Sequence, residues 1–165
     1  MNELKKFVAY LKKNKLILTT AESCTAGKII SLLANIEGSG KCLDAGYVVY
    51  SADAKKRLLG VKQHTIDKYT LTSEAVAQEM AFGALKDSIA SVVIATTGIT
   101  GKKAMDGIPP GTICFAWGFK SRKNFFVYKE TRKFSGTRNA IQEAAATHAL
   151  LRMPEFHEKF LTENK

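Results

Sequence analysis

Residues 90–97 read Ala-Ser-Val-Val-Ile-Ala-Thr-Thr. The centre of this run is apolar at successive positions, so a strand formed here needs cover on both faces. Such a strand belongs inside a sheet with a layer of helices on each side. The rest of the chain supplies those layers. Leu4, Phe7, Val8 and Leu11 share one face of a lysine-rich helix over 3–14. Leu16 to Thr20 reads as a short buried strand. Thr25 to Ile36 reads as a helix that Gly38-Ser39-Gly40 breaks.

The alternation continues towards the C-terminus. Asp44 to Ser51 is a second strand, and Ala52 to Leu59 a short helix stopped by Gly60. Thr65 to Leu71 is a further turn of helix or a loop. Ser73 caps a long helix to Lys86. After the 90–97 strand, Gly98 to Pro110 is a loop. Thr112 to Phe119 and Asn124 to Phe134 are neighbouring strands joined by a polar turn at 120–123. Gly136 opens a last helix to Met153, Pro154 ends it, and 155–165 is a charged tail. The pattern predicts an α/β fold: a three-layer α/β/α sandwich with a mixed, mostly parallel sheet, forming a single domain over 1–165.

Composition narrows the partners. The formal charge is +10, which favours phosphates, nucleotides or nucleic acid; a basic solvated surface is the plain alternative. No basic-aromatic stripe or recognition motif marks a nucleic-acid reader. No window approaches the ~18–20 apolar residues of a membrane span. The N-terminus lacks the apolar core of a secretory signal, so a cytoplasmic location is expected. Cys24, Cys42 and Cys114 lack metal-type spacing, and free thiols with no metal site are expected.

In open α/β sheets, ligands bind beyond the carboxyl ends of the strands. That rule gathers Ser23, the segment Tyr50 to Lys55, and Thr97 to Gly101 at one edge. Ser23 lies in a strand-to-helix turn, where unpartnered N–H groups favour an anion or a developing oxyanion. The alternative is that Ser23 and Thr25 only cap a helix. Serine needs a base. The strand-end rule puts none of His64, His148 and His157 beside Ser23, which disfavours a Ser-His-Asp triad. Lysine serves as the base when burial lowers its pKa. Lys55 is one candidate, but charge spacing does not separate it from Lys56 and Arg57, and a solvated lysine remains the plainer reading. Tyr50 either passes a proton, holds the lysine, or keeps its hydroxyl in water. Cys24 is a competing nucleophile or a packing residue.

Several spaced motifs carry a family resemblance. They are Thr20-Ala-Glu-Ser-Cys-Thr-Ala-Gly27, Gly46-Tyr-Val-Val-Tyr-Ser-Ala-Asp-Ala-Lys55 followed by Leu59-Gly60-Val61, and Thr72-Ser-Glu-Ala-Val-Ala-Gln-Glu-Met80. Thr97-Gly-Ile-Thr-Gly101, Pro110-Gly-Thr112 and Gly136-x-Arg138 follow in order. Over residues 3–153 the chain resembles the CinA C-terminal domain family, the nicotinamide mononucleotide amidohydrolases. The resemblance implies a metal-independent Ser/Lys hydrolase without a cofactor, which converts nicotinamide mononucleotide to nicotinic acid mononucleotide and ammonia. Ser23 then matches the nucleophile, Lys55 the base and Tyr50 its partner. Thr25, Thr97, Gly98, Gly101, Lys102 and Arg138 are the expected substrate-binding residues. The expected partner is a small nucleotide, with no membrane or specific nucleic acid; homo-oligomer formation is left open.

Two departures qualify the resemblance. Lys102-Lys-Ala-Met-Asp-Gly107 replaces a glycine-rich, proline-containing stretch. Gln142 stands where the pattern has a second arginine, four residues after Arg138. Read as a missing phosphate ligand, Gln142 predicts weak substrate binding. The rival reading is a weak or inactive paralogue that binds nucleotides or regulates.

Overall fold

A computed structural model of the chain describes residues 2–122 and 124–165. Its strands are β1 (Leu18–Glu22), β2 (Leu43–Val48), β3 (Val92–Gly98), β4 (Thr112–Ser121) and β5 (Asn124–Lys133). Its α-helices are α1 (Glu3–Lys13), α2 (Lys28–Ala34), α3 (Ala52–Leu59), α4 (Gln63–Tyr69), α5 (Glu74–Asp87) and α6 (Arg138–Glu163). The sheet has the order β2-β1-β3-β4-β5. β1 pairs parallel with β2 and β3, whereas β3–β4 and β4–β5 are antiparallel. Only β4 therefore runs against the other strands. The mixed α/β sandwich expected from the alternation is the observed fold.

Two apolar cores lie on opposite faces of the sheet. Phe7, Leu11, Ile29, Leu33, Phe115, Trp117, Ala149 and Leu150 belong to one, covered by α1, α2 and α6. Leu59, Val76, Met80, Ala84, Val93 and Ala95 belong to the other, under α3 and α5. Residues 92–97 of β3 are all buried, and consecutive residues feed alternate cores. Every polar side chain here needs an internal partner; Trp117 Nε1, for example, donates to the Ala149 carbonyl at 2.8 Å.

Several boundaries differ from expectation. β1 starts two residues later than Leu16 and continues through Ala21 and Glu22. Its buried glutamate is affordable because four groups donate to the carboxylate: the Thr20 and Thr25 hydroxyls and the Ile29 and Ile30 N–H groups. The helix after Ser23 begins at Lys28 rather than Thr25, because Ala26 and Gly27 take left-handed φ of 51° and 91°. Glycine adopts that conformation without steric cost.

Pro154 does not end the last helix. α6 runs through it to Glu163, so residues 155–163 are helical. A proline in a helix interior costs about 3 kcal/mol. Beyond it, Phe160 stacks on Phe119 at 5.2 Å, and Phe156 meets Trp117 at 4.6 Å. Burying a phenylalanine contributes about 1.5–3 kcal/mol, so these contacts outweigh the lost helix bond. The His157 ring nitrogen Nδ1 also lies 2.8 Å from the Tyr10 hydroxyl, tying α6 to α1. The expected turn at 120–123 includes Lys123, which lies outside the described residues.

Candidate active site

Because β4 alone is reversed, the C-terminal ends of β1, β2, β3 and β5 and the start of β4 meet at one rim. A cavity of about 950 Å³ opens there, and Ser23, Cys24, Tyr50, Lys55, Thr97 and Arg138 are among its lining residues. Ser23 follows β1 directly, and its N–H donates to the Thr96 carbonyl at 3.1 Å. The turn is thereby tied to β3 before it reaches α2.

Lys55 reaches Ser23 from α3. The Ser51 side chain caps that helix by accepting from the Ala54 N–H. Helical side chains lean towards the N-terminus of their helix. Lys55 therefore leans back over the segment that precedes α3, and it is only 1% exposed. Its Nζ donates to Ser23 Oγ at 2.8 Å and to the Val49 and Tyr50 carbonyls at 3.0 Å each. Burial lowers its pKa to about 8, against a smaller opposing effect from Cys24. Its neighbours point elsewhere: Lys56 donates to Gln63, and Arg57 to Asp53.

The three partners of Lys55 suit a neutral amine as well as an ammonium. An ammonium has three donors. A neutral amine keeps two N–H donors for the two carbonyls and turns its lone pair to the serine hydroxyl. The site thus has a place for the deprotonated lysine without leaving a buried polar atom unpaired.

The other expected residues divide. Thr97, Gly98, Gly101, Lys102 and Arg138 line the cavity. The Thr97 hydroxyl donates to the Leu71 carbonyl. A Cβ on Gly98 would lie 2.5 Å from the Thr112 carbonyl, and one on Gly101 would lie 2.9 Å from the Arg138 guanidinium. Both glycines therefore allow close approach rather than offering a side-chain contact. Arg138 donates to the Thr100 hydroxyl at 3.3 Å. Tyr50 lies just beyond β2 and is 58% exposed, and its carbonyl, not its hydroxyl, holds Lys55.

Thr25 occupies a different place. It is fully buried, donates to Glu22 at 2.6 Å and lies 2.9 Å from the Thr96 hydroxyl. It is absent from the cavity wall among the described residues. Gln142 is likewise off the wall, and its Nε2 donates to the Cys24 carbonyl at 3.0 Å. One turn on from Arg138, where a second phosphate ligand was expected, the Gln142 amide is engaged by the turn after Ser23 instead. Burial pushes the Cys24 thiol up to about 12, so it stays protonated.

Two features around the cavity were missed in the sequence. Lys133, at the end of β5, joins Lys55, Lys102, Lys103 and Arg138 on the wall, and no Asp or Glu lies among the described lining residues. Charge alone did not single out Lys133; its strand-end position was the available signal. The departing loop also has a defined form: Met105 and Ile108 exchange backbone hydrogen bonds across Asp106 and Gly107, whose φ values are 54° and 75°. Two positive φ values in an Asp-Gly pair make a tight primed turn. No cluster of three or more His, Cys, Asp or Glu side chains suited to a metal occurs among the described residues. No described helix is long and apolar enough to cross a membrane.

Known proteins resemble the chain in sequence and in fold. "Protein YdeJ" of Escherichia coli (strain K12) is 39% identical over 141 residues, covering 85% of this chain and 80% of that one. "Nicotinamide-nucleotide amidohydrolase PncC" of the same strain is 36% identical over 141 residues, covering 85% and 84%. The chain spans 34% of a longer relative, the putative competence-damage inducible protein of Caldicellulosiruptor saccharolyticus, at 38% identity over 87% of this chain. The crystal structure of competence damage-inducible protein A from Klebsiella pneumoniae superposes with a TM-score of 0.86 at 34% identity, covering 93% of this chain and 94% of that one. The family model described as CinA C-terminal domain matches residues 2–156, and the chain belongs to that family.

Proposed function

We propose that the protein is a Ser/Lys amidohydrolase that removes ammonia from the carboxamide of nicotinamide mononucleotide. The observation that carries this reading is the buried 2.8 Å contact between Lys55 Nζ and Ser23 Oγ. Its substrate comes from the PncC relatives, whose name is nicotinamide-nucleotide amidohydrolase.

Neutral Lys55 takes the Ser23 proton as Oγ attacks the carboxamide carbon. The N–H groups of Cys24 and Thr25, in the turn beside Ser23, are the nearest candidates to meet the oxyanion. The tetrahedral intermediate collapses, and the Lys55 ammonium hands its proton to the leaving nitrogen, which departs as ammonia. Water then attacks the acyl-serine and gives a proton to Lys55. The carboxylic acid leaves, and the proton returns to Ser23 Oγ. Lys102, Lys103, Lys133 and Arg138 supply positive charge for the nucleotide phosphate.

Ammonia release from nicotinamide mononucleotide tests the reading, with Ser23→Ala as control. Turnover that Ser23→Ala abolishes supports it. Nucleotide binding without ammonia release, in wild type and variant alike, replaces it with a binding-only role.

A further inference from the structure

The hydrogen bond from Gln142 to the Cys24 carbonyl crosses 118 residues of sequence. It joins the second turn of α6 to the residue immediately after Ser23. A peptide group is planar, so its carbonyl and the following N–H turn together. Holding the Cys24 carbonyl therefore also fixes the direction of the Thr25 N–H. The rest of the turn is held from other sides. Ser23 N–H is bound to Thr96, and the Thr25 side chain to Glu22 and Thr96. Among the described residues, Gln142 is the one hydrogen-bond donor to the Cys24 carbonyl.

We infer that Gln142 is a positioning residue that orients the Cys24–Thr25 peptide, and with it an oxyanion donor, beside the attacking serine. This rests on the amidohydrolase reading above. A side chain off the cavity wall has no direct route to the substrate phosphate. Its effect is carried by the turn, so it acts on the step in which charge develops on the carbonyl oxygen. Interactions realised only in the transition state change kcat and leave KM unmoved. Arg138, one turn earlier on α6, lines the cavity and has the opposite signature.

The test measures kcat and KM for nicotinamide mononucleotide, together with the rate of Ser23 labelling by phenylmethanesulfonyl fluoride, followed by mass spectrometry. The variants are Gln142→Met and Gln142→Glu, which keep the size and lose the donor, and Gln142→Arg, which keeps N–H donors. Two donor-less variants of different polarity guard against one failing to fold. Misplacing an oxyanion donor costs about 10- to 100-fold. The expected result is that fall in kcat for Met and Glu, an unchanged KM, and most of kcat retained by Gln142→Arg. Unchanged kcat in Met and Glu overturns the inference and leaves the amidohydrolase standing. A raised KM with kcat intact also overturns it, by making Gln142 a binding residue. A wild-type protein that neither releases ammonia nor labels at Ser23 overturns both readings.

Discussion

Lys55 Nζ and the Ser23 hydroxyl oxygen are 2.8 Å apart although they stand 32 positions apart in the chain. β1 delivers the serine and α3 delivers the lysine, and neighbouring parallel strands bring the two to the same rim. If this contact is the reacting pair, Ser23→Ala lowers amide turnover by several orders of magnitude, as losing an activated nucleophile does. The fold survives, since a smaller side chain fits the turn. Cys24→Ala retains turnover, because its thiol stays protonated. Ammonia release from the two variants separates the oxygen from the sulfur.

The base reaction has a pH signature. Lys55 accepts a proton only when neutral, and burial brings its pKa to about 8. The rate therefore rises with pH up to and through about 8 and then levels. Lys55→Arg is as inactive as Lys55→Ala, since arginine keeps its proton at working pH. A pH–rate profile that stays flat from 6 to 9 removes Lys55 from the role.

The same group links stability to pH. Its folded pKa of about 8 lies below the ordinary 10.5, so the unfolded chain binds more protons between those values. Stability then rises with pH in that window. Below about 8 both states are protonated, and the buried charge carries its full cost, roughly 3 kcal/mol at about 1.4 kcal/mol per pH unit. Relative to Lys55→Met, the wild-type protein gains stability between pH 8 and 10.5. Denaturant unfolding at pH 7, 9 and 10.5 measures that gain.

Arg138 lines the cavity and donates to Thr100. Arg138→Ala raises KM for nicotinamide mononucleotide by about tenfold or more, the scale of a charge-assisted phosphate contact. Its kcat changes less. Lys102→Glu combined with Lys103→Glu also raises KM, and more strongly at low salt. Steady-state kinetics at two ionic strengths reads both effects.

Helix α6 beyond Pro154 contributes to folding. Phe160 is 8% exposed and stacks on Phe119. Phe160→Ala destabilises the protein by about 3 kcal/mol, the lower end for a buried phenylalanine. Urea unfolding followed through Trp117 fluorescence measures it.

The sheet and its two helical layers were legible because apolar periodicity is a local signal. Ala52 to Leu59 was read with the bounds that α3 has. Lys55 was harder. Spacing of charges left it equal to Lys56 and Arg57, and only the family resemblance singled it out. Yet Lys55 shares the buried face of α3 with Leu59, so helical phase carried the information that charge did not. Gln142 and Pro154 failed for a different reason. What each does depends on a partner far along the chain: the Cys24 carbonyl in one case, and Phe119, Trp117 and Tyr10 in the other. Propensity rules do not see such partners. Glu22 was missed likewise, since its burial depends on donors from the turn that follows it.

The reversed β4 has a consequence for engineering. With every strand presenting an end to the cavity, the starts of β1, β2, β3 and β5 and the end of β4 all fall on the opposite rim. β3 alone spans seven residues, roughly 23 Å at about 3.3 Å per residue. A reporter or second folded unit grafted into the connection before β3 would hang that far from Ser23, leaving substrate entry unobstructed.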